Sequence, residues 1–561
     1  MHHVPHESPA SNSTNTRPSL TPVNSSSLPP SNNIPTSRNG SIDGFRPSSA
    51  GVPPDPVSNA PREQTHPRTL KEVEVTATAV DDCFRLFFTK YAPHMPAVEG
   101  PMEPNECYNQ SRYLFWTIMT IGSRKYPRDP TLLSQLTPPI VEMTKNAAFA
   151  IEKSLHTIQA FMLLCTWPIP HSSIGKDITH VLSGVLLQHA LSVGMHIFGV
   201  GQDFARIKLT ADRSQLYARA RLWALCIVVC QRVSCTDGVP PVYIPDNYDH
   251  SYCQAQSLNA LQPALRFQKT LSRILTESIL ELERYALSKP MAQRGPVLNP
   301  FIDAASLTLA DLEPECPADI DRFYLISAEL QILSFHLLGP RESLDDAKLA
   351  RMHSLSCDAI ELMNILERNE GFCDHAPLAA MKYLCTAAFT LLKLSRSHMA
   401  ANVDSERGKA AYFTSISLAR KTAVEPEDIM ARLAKILTQL WNSKQVFRKS
   451  DGTTDPLSLR CGSRLAMSIP YDCFWWWRSE FAGIENPYED QQANAAHAGV
   501  SPESFQNLVW LQESFPEFAW PTMEDLVSMD WPSEPISIPA PSTGSGARSS
   551  GPMPEMNSIW M

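Results

Sequence analysis

Thirteen cysteines and sixteen histidines are the residues of this 561-residue chain best suited to metal or thiol chemistry. Their spacing argues against it. No two cysteines form a Cys-x-x-Cys pair, the arm that lets thiolates converge on one metal ion. The densest group, Cys226, Cys230 and Cys235, sits at helical spacing among apolar residues. That pattern predicts buried core thiols, with redox sensing as the other reading. An odd, scattered set also predicts no disulfide framework and fits a reducing compartment. His156, His180, His189 and His196 lie on or beside predicted helices, without carboxylates at ligand spacing. His171 and Asp177 flank a loop that supplies neither a nucleophile nor oxyanion donors. Gly-x-Ser-x-Gly, Gly-x-x-x-x-Gly-Lys and His-Glu-x-x-His are all missing from the sequence. Gly199-Val200-Gly201 follows a helix, not a strand, and reads as a turn. The expectation is a protein that is not an enzyme and holds no metal or cofactor in this chain.

A different chemistry marks the C-terminal stretch. From Glu485 to Met561 there are eleven acidic residues and one base, Arg548, which leaves −10, the formal charge of the whole chain. Trp510, Phe515, Phe518, Trp520, Leu526 and Trp531 are interleaved with those acids. Repulsion between carboxylates keeps such aromatics solvated, so they can dock into a partner's groove as a short induced helix. This is the composition of a transactivation region, and these six residues are its candidate contacts with transcriptional coactivators. The alternative is a tail whose Trp residues fold back on the rest of the chain.

Helices must carry what lies before that tail. Residues 1–69 are rich in Ser, Pro and Asn, cannot offset backbone entropy by burial, and are expected to be disordered. From Leu70 to Ala97 one helix is predicted, with Val80, Phe84, Phe87, Phe88 and Tyr91 as its stripe. Ser111 to Arg124 is apolar nearly all round and therefore central. The basic run Arg124-Lys125-Tyr126-Pro127-Arg128 is read as a solvated helix end, with nucleic-acid contact as the alternative. Ser154, Asp177 and the Thr236–Pro241 turn bound three further helices, the second using Ile178, Val181, Leu182, Val185 and Leu186 as its inner face. Amphipathic helices are also predicted at 265–285, 319–338, 343–366, 378–394, 410–424 and 426–441, with a loop at 290–317. In Phe474-Trp475-Trp476-Trp477, Phe474, Trp477 and Phe481 share the expected inner face; Trp475 and Trp476 point elsewhere. No convincing strand, no repeat of fixed period and no run long enough to span a membrane is expected. The fold class is all-α: a regulatory domain at 70–484 between the segments 1–69 and 485–561.

The order of residues from Ser154 to Tyr243 resembles the middle homology region of fungal-specific transcription factors of the binuclear zinc-cluster family. The resemblance rests on Gln159-Ala160, Gly184, Gly194-Met195-His196, Arg221-Leu222-Trp223, Arg232 and Gly238-Val239-Pro240. Met195 departs from the usual Leu, and Ile197 stands where a basic residue is common. Leu164-Cys165-Thr166-Trp167-Pro168 and Lys176-Asp177 look most like the subgroup of weak-acid-stress and secreted-protease regulators. The similarity is clear over about Val73 to Asn247 and fades beyond.

The resemblance implies a nuclear transcription regulator whose helical domain restrains or licenses the acidic tail, in some members in response to a small-molecule effector, and which can dimerise. The family's zinc cluster has no counterpart in this sequence: either the natural gene product carries one upstream and meets DNA directly, or DNA is reached through a DNA-binding partner. A non-DNA-binding cofactor is the alternative reading. No membrane association is expected.

Overall fold

The computed structural model describes residues 64–488 except 151–153, 173–175, 198, 243, 245–260, 450–451 and 485–486. Fifteen α-helices account for most of these residues, and the fold is all-α. A short antiparallel hairpin precedes them, β1 (Arg68–Leu70) with β2 (Val73–Val75), Arg68 opposite Val75. A helix was expected from Leu70, but Val73 and Val75 alternate inward and Thr76 N-caps α1 (Ala77–Leu86) by accepting from the Ala79 amide. A π-helical turn, Phe87–Tyr91, prolongs α1 and buries Phe87 and Tyr91.

The first core is built by α1, α2 (Pro104–Gln110), α3 (Arg112–Gly122), α4 (Leu132–Ala148), α5 (Leu155–Thr166), α6 (Thr179–Ser192) and α7 (Arg213–Asp237). As its pattern predicts, α3 is central: Tyr113 through Gly122 are all buried. The α5 helix starts where Ser154 accepts from the Thr157 amide at 3.1 Å. Asp212 and Gln215 close a capping box at the start of α7, and Gly238 ends it in the left-handed conformation. A Cβ at Gly238 would lie 2.2 Å from the Arg464 carbonyl oxygen, so both φ and the close approach demand glycine. On α6, Leu182, Leu186 and Leu187 face inward; Ile178 and Val181, placed on the inner face by periodicity, are exposed.

The second core gathers α8 (Pro263–Glu281), α9 (Met291–Ala310), α10 (Asp319–Ser334), α11 (Asp346–Glu370), α12 (Leu378–Ser395), α13 (Ser405–Thr422), α14 (Ile429–Asn442) and α15 (Ser468–Phe481). The α9 helix occupies the stretch expected to be a loop. Its Pro296 and Pro300, four residues apart, share the exposed side, while Leu298, Ile302, Ala305 and Leu309 are buried. Burying those side chains at about 1.5–3 kcal/mol each for the larger ones offsets a cost of about 3 kcal/mol per interior proline. On α15 the inner face also differs from expectation. Trp476 is buried against Phe447 and under Arg460, and Phe481 is exposed. The aromatic cluster as a whole packs internally: Phe474 on Phe389, and Trp475 on Tyr488.

α7 serves both cores. Its Cys226 and Cys230 lie in the first core and Cys235 in the second. Across the join, Arg232 stacks on Tyr324 at 4.0 Å, and Trp167 donates to the His375 carbonyl at 2.9 Å. α12 has a length and a mean hydropathy of 1.2 that match a membrane span, against the expectation of no such run. Its burial, 78% of that window, is that of a core helix.

Candidate functional site: a cavity where the two cores meet

Most residues of chemical interest in the sequence prove to be stitches. Cys165, Cys226 and Cys235 are buried, and burial raises all three thiols, Cys235 to about 12; for Cys226 the largest influence is its hydrogen bond with Cys230. These are core thiols. Among the described residues no group of three or more His, Cys, Asp or Glu is placed to hold a metal ion. The basic run at 124–128 is drawn into the fold. Arg124 donates to the Pro168 carbonyl, Lys125 to those of Lys421 and Ala423, and Arg128 pairs with Asp82. Gln159 donates to the Ala97 carbonyl and Arg221 pairs with Glu99. Gly194 has φ of +65°, and its missing Cβ leaves room for Phe204, whose ring also meets His196 edge-on. The Gly199–Gly201 segment is the expected turn.

The join between the cores holds a cavity of about 360 Å³. Helix α12 contributes Met381, Lys382 and Cys385, and α14 contributes Met430, Arg432, Leu433 and Ile436. Tyr471, Phe474, Trp477 and Arg478 come from α15, Met467 from the turn before it, and Ile484 from the chain just after it. The first half of the chain adds Ser172 and Asp177 from the loop before α6, and Thr236 and Asp237 from the last turn of α7. The lining is mainly apolar and rich in methionine, whose unbranched side chains adapt to irregular shapes.

Its walls are fixed by bonds that cross the join. The Ile429 amide donates to the His171 carbonyl at 2.9 Å, and Arg432 donates through Nη1 to the Ser172 carbonyl. Arg464 donates to the Asp237 carbonyl at 3.4 Å and stacks on Tyr471. Within the second core, Trp477 donates to Gln439 on α14 at 2.8 Å. At the floor, Lys382 donates to Asp177 at 3.1 Å and also to Asp237. Burial opposes charge on Asp177, but the Lys382 ammonium, His171 and the Thr179 hydrogen bonds outweigh it and hold the carboxyl down to about 2. Burial likewise opposes charge on Lys382, and its two carboxylate neighbours win, pushing the ammonium well above the usual lysine range. Burial raises the Cys385 thiol and the Tyr471 phenol. The lining thus carries a charged lysine, a protonated thiol and a protonated phenol.

The sequence points to Asp177 as an N-cap; the N-cap position of α6 is Ile178, and Asp177, one residue earlier, accepts at Oδ1 from the Thr179 amide at 2.9 Å. Its second oxygen, on Lys382, could not be inferred from spacing. The missed residues are Lys382, Asp237, Arg432, Tyr471 and Trp477; the one signal was a lysine inside an otherwise apolar helix. The six candidate transactivation contacts, Trp510, Phe515, Phe518, Trp520, Leu526 and Trp531, lie outside the described residues.

No protein-family model matches the chain, and no solved structure matches it. Curated proteins do. Regulatory protein LEU3 of Saccharomyces cerevisiae is 22% identical over 468 residues, covering 73% of this chain and 52% of that protein. Transcriptional regulatory protein SEF1 of Candida albicans is 24% identical over 426 residues, 72% of this chain and 45% of its own length. Putative transcription factor SEF1 of Kluyveromyces lactis is 22% identical over 437 residues, 75% and 38% respectively. The chain thus spans about half or less of the length of these relatives. Over about three quarters of its own length, this all-α chain is similar to fungal transcriptional regulators.

Proposed function

We propose that this chain is a nuclear transcription regulator in which the helical domain, 70–484, controls the acidic region 485–561. The observation that carries the proposal is where the cavity sits. It is lined by the loop before α6 and the end of α7, both within the family-like stretch, by α15, and by Ile484, the residue immediately before the acidic region. A small-molecule effector bound there touches the element from which that region departs. It shifts the domain toward whichever arrangement it binds more tightly. Trp510, Phe515, Phe518, Trp520, Leu526 and Trp531 are then the contacts presented to coactivators.

The relatives' names support action on transcription, and the chain meets DNA itself or through a partner protein. Binding of the purified chain to labelled duplex separates the routes: salt-sensitive, sequence-selective binding means direct contact. For the control mechanism, the full chain and Glu485–Met561 alone are each fused to an unrelated DNA-binding domain driving a reporter. The isolated region is expected to activate strongly and the full chain less. A silent reporter with the isolated region overturns the activation reading; equal output from both overturns control by the helical domain.

A further inference from the structure

Beyond α15 the chain turns back on that helix. Gly483 takes a left-handed φ of +65°, and the amides of Ala482 and Ile484 both donate to the Arg478 carbonyl, at 3.0 and 3.2 Å. Ile484 thereby joins the cavity wall. Four residues on, Tyr488 is half-buried. Its ring meets Trp475 of α15 edge-on with centres 5.9 Å apart, and its hydroxyl donates to the sulfur of Cys461, a residue only 4% exposed. Trp475 also stacks with Arg478, whose guanidinium carbon lies 5.0 Å from the ring centre, and Arg478 lines the cavity. Cavity wall and Tyr488 are therefore joined twice: along the chain from Ile484, and through the Arg478–Trp475 stack.

We propose that Tyr488 is a catch that holds the start of the acidic region against α15, and that the state of the cavity wall sets how firmly it holds. This rests on the reading of the helical domain as controlling that region, and adds the contact through which control is exerted. One edge-on ring pair and one hydrogen bond to a weakly accepting sulfur make a hold of modest strength. A switch needs that modesty, because a small displacement of Ile484 or Arg478 can then change the closed population severalfold. The next ring along is the contrast: Trp476 is buried under Arg460 and against Phe447, an anchor rather than a catch.

The test is a timed pulse of N-ethylmaleimide on the full chain, with labelling of each cysteine followed by mass spectrometry. Tyr488 covers the Cys461 thiol, so release of the catch exposes it. Cys473, fully buried on α15, reports unfolding and should stay slow in every variant used. Tyr488→Ala should speed Cys461 labelling about tenfold, and Tyr488→Phe, which keeps the ring pair, by less. Leu433→Trp, which crowds the cavity, should speed it with Tyr488 intact; Ile436→Phe takes its place if that variant labels at Cys473. An unchanged Cys461 rate in Tyr488→Ala overturns the catch, and a parental rate in the cavity variant overturns its link to the wall. In the reporter, full-chain Tyr488→Ala should rise toward the output of Glu485–Met561 alone, and the same change within the isolated region should leave its output unaltered. Faster labelling without that rise, or a rise shared by the isolated region, overturns the catch as the point of control. Equal output from the parent full chain and the isolated region overturns the underlying reading instead.

Discussion

Two lysines on one helix behave in opposite ways. Lys382 and Lys393 are eleven residues apart on α12, close to three full turns, and so point to the same side. Lys393 lies in the second core with 1% of its side chain exposed, bonded to Asp472 at 2.6 Å and to the Pro456 carbonyl at 2.9 Å, under the Phe447 ring. Asp472 is completed by the Arg460 amide at 2.9 Å. Neither residue lines the cavity, and their partners all come from the second half of the chain. Lys382 instead reaches back to Asp177 and Asp237 in the first half and borders the cavity. The same residue type on the same face is a lock at one end of α12 and the floor of a cavity at the other. Adjoining space, not charge, makes the difference, because only a bound molecule's own contacts can shift an equilibrium.

The largest effect that would break this comparison is at the lock. Lys393→Met should cost about 3–5 kcal/mol, since it strands Asp472 in a dry core. The paired change Lys393→Met/Asp472→Leu should recover much of that loss, read by urea denaturation; no recovery would mean the pair is more than a lock. Next, Gly238→Ala should cost about 1–3 kcal/mol through its left-handed backbone and the Arg464 carbonyl, and it should disturb the cavity wall as well. Thermal melts of the variant check the cost, and its structure around the Arg464–Asp237 contact checks the wall. Lys382→Met should cost less than Lys393→Met, about 1–3 kcal/mol. The freed Asp177 and Asp237 border open volume and can rehydrate, and a cost equal to that at Lys393 would erase the distinction.

The smallest effect is a pH dependence. Burial pushes His94 and His336 down to about 4. Each stays neutral in the fold while the unfolded chain takes up a proton near pH 6.5, so the unfolded state binds more protons between those values. Stability is therefore full above about pH 6.5 and declines as pH falls toward 4, the loss reaching about 1–2 kcal/mol per histidine near pH 5.5 to 5. His94 stacks on His375 with ring centres 4.8 Å apart, across the join of the cores. His94→Phe should flatten part of the curve; a curve unchanged by it would place the titration elsewhere.

Where periodicity failed, a single physical cause recurs. Ile178 and Val181 match a helical apolar face as well as Leu182 and Leu186 do, yet only the latter are covered, because coverage depends on what packs alongside. Prolines 296 and 300 carry a strong local signal for a loop, and distant packing overrides it in α9. Trp476, expected to point elsewhere, is buried because Arg460 and Phe447 arrive over it, while Trp477 packs against the core and reaches Gln439.

From sequence alone came the all-α class, helix starts at about Ser154 and Asp177, the turn at 236–241, the central place of the helix at 111–124 and the burial of Cys226, Cys230 and Cys235. Each follows from spacing along the chain, where a 3.6-residue turn and a missing Cβ act locally. The cavity could not come that way. Asp177, Asp237, Lys382 and Arg432 are 255 positions apart from first to last. Only the packing of one helical core against the other brings them together, and charges so far apart in the chain interact through that packing alone.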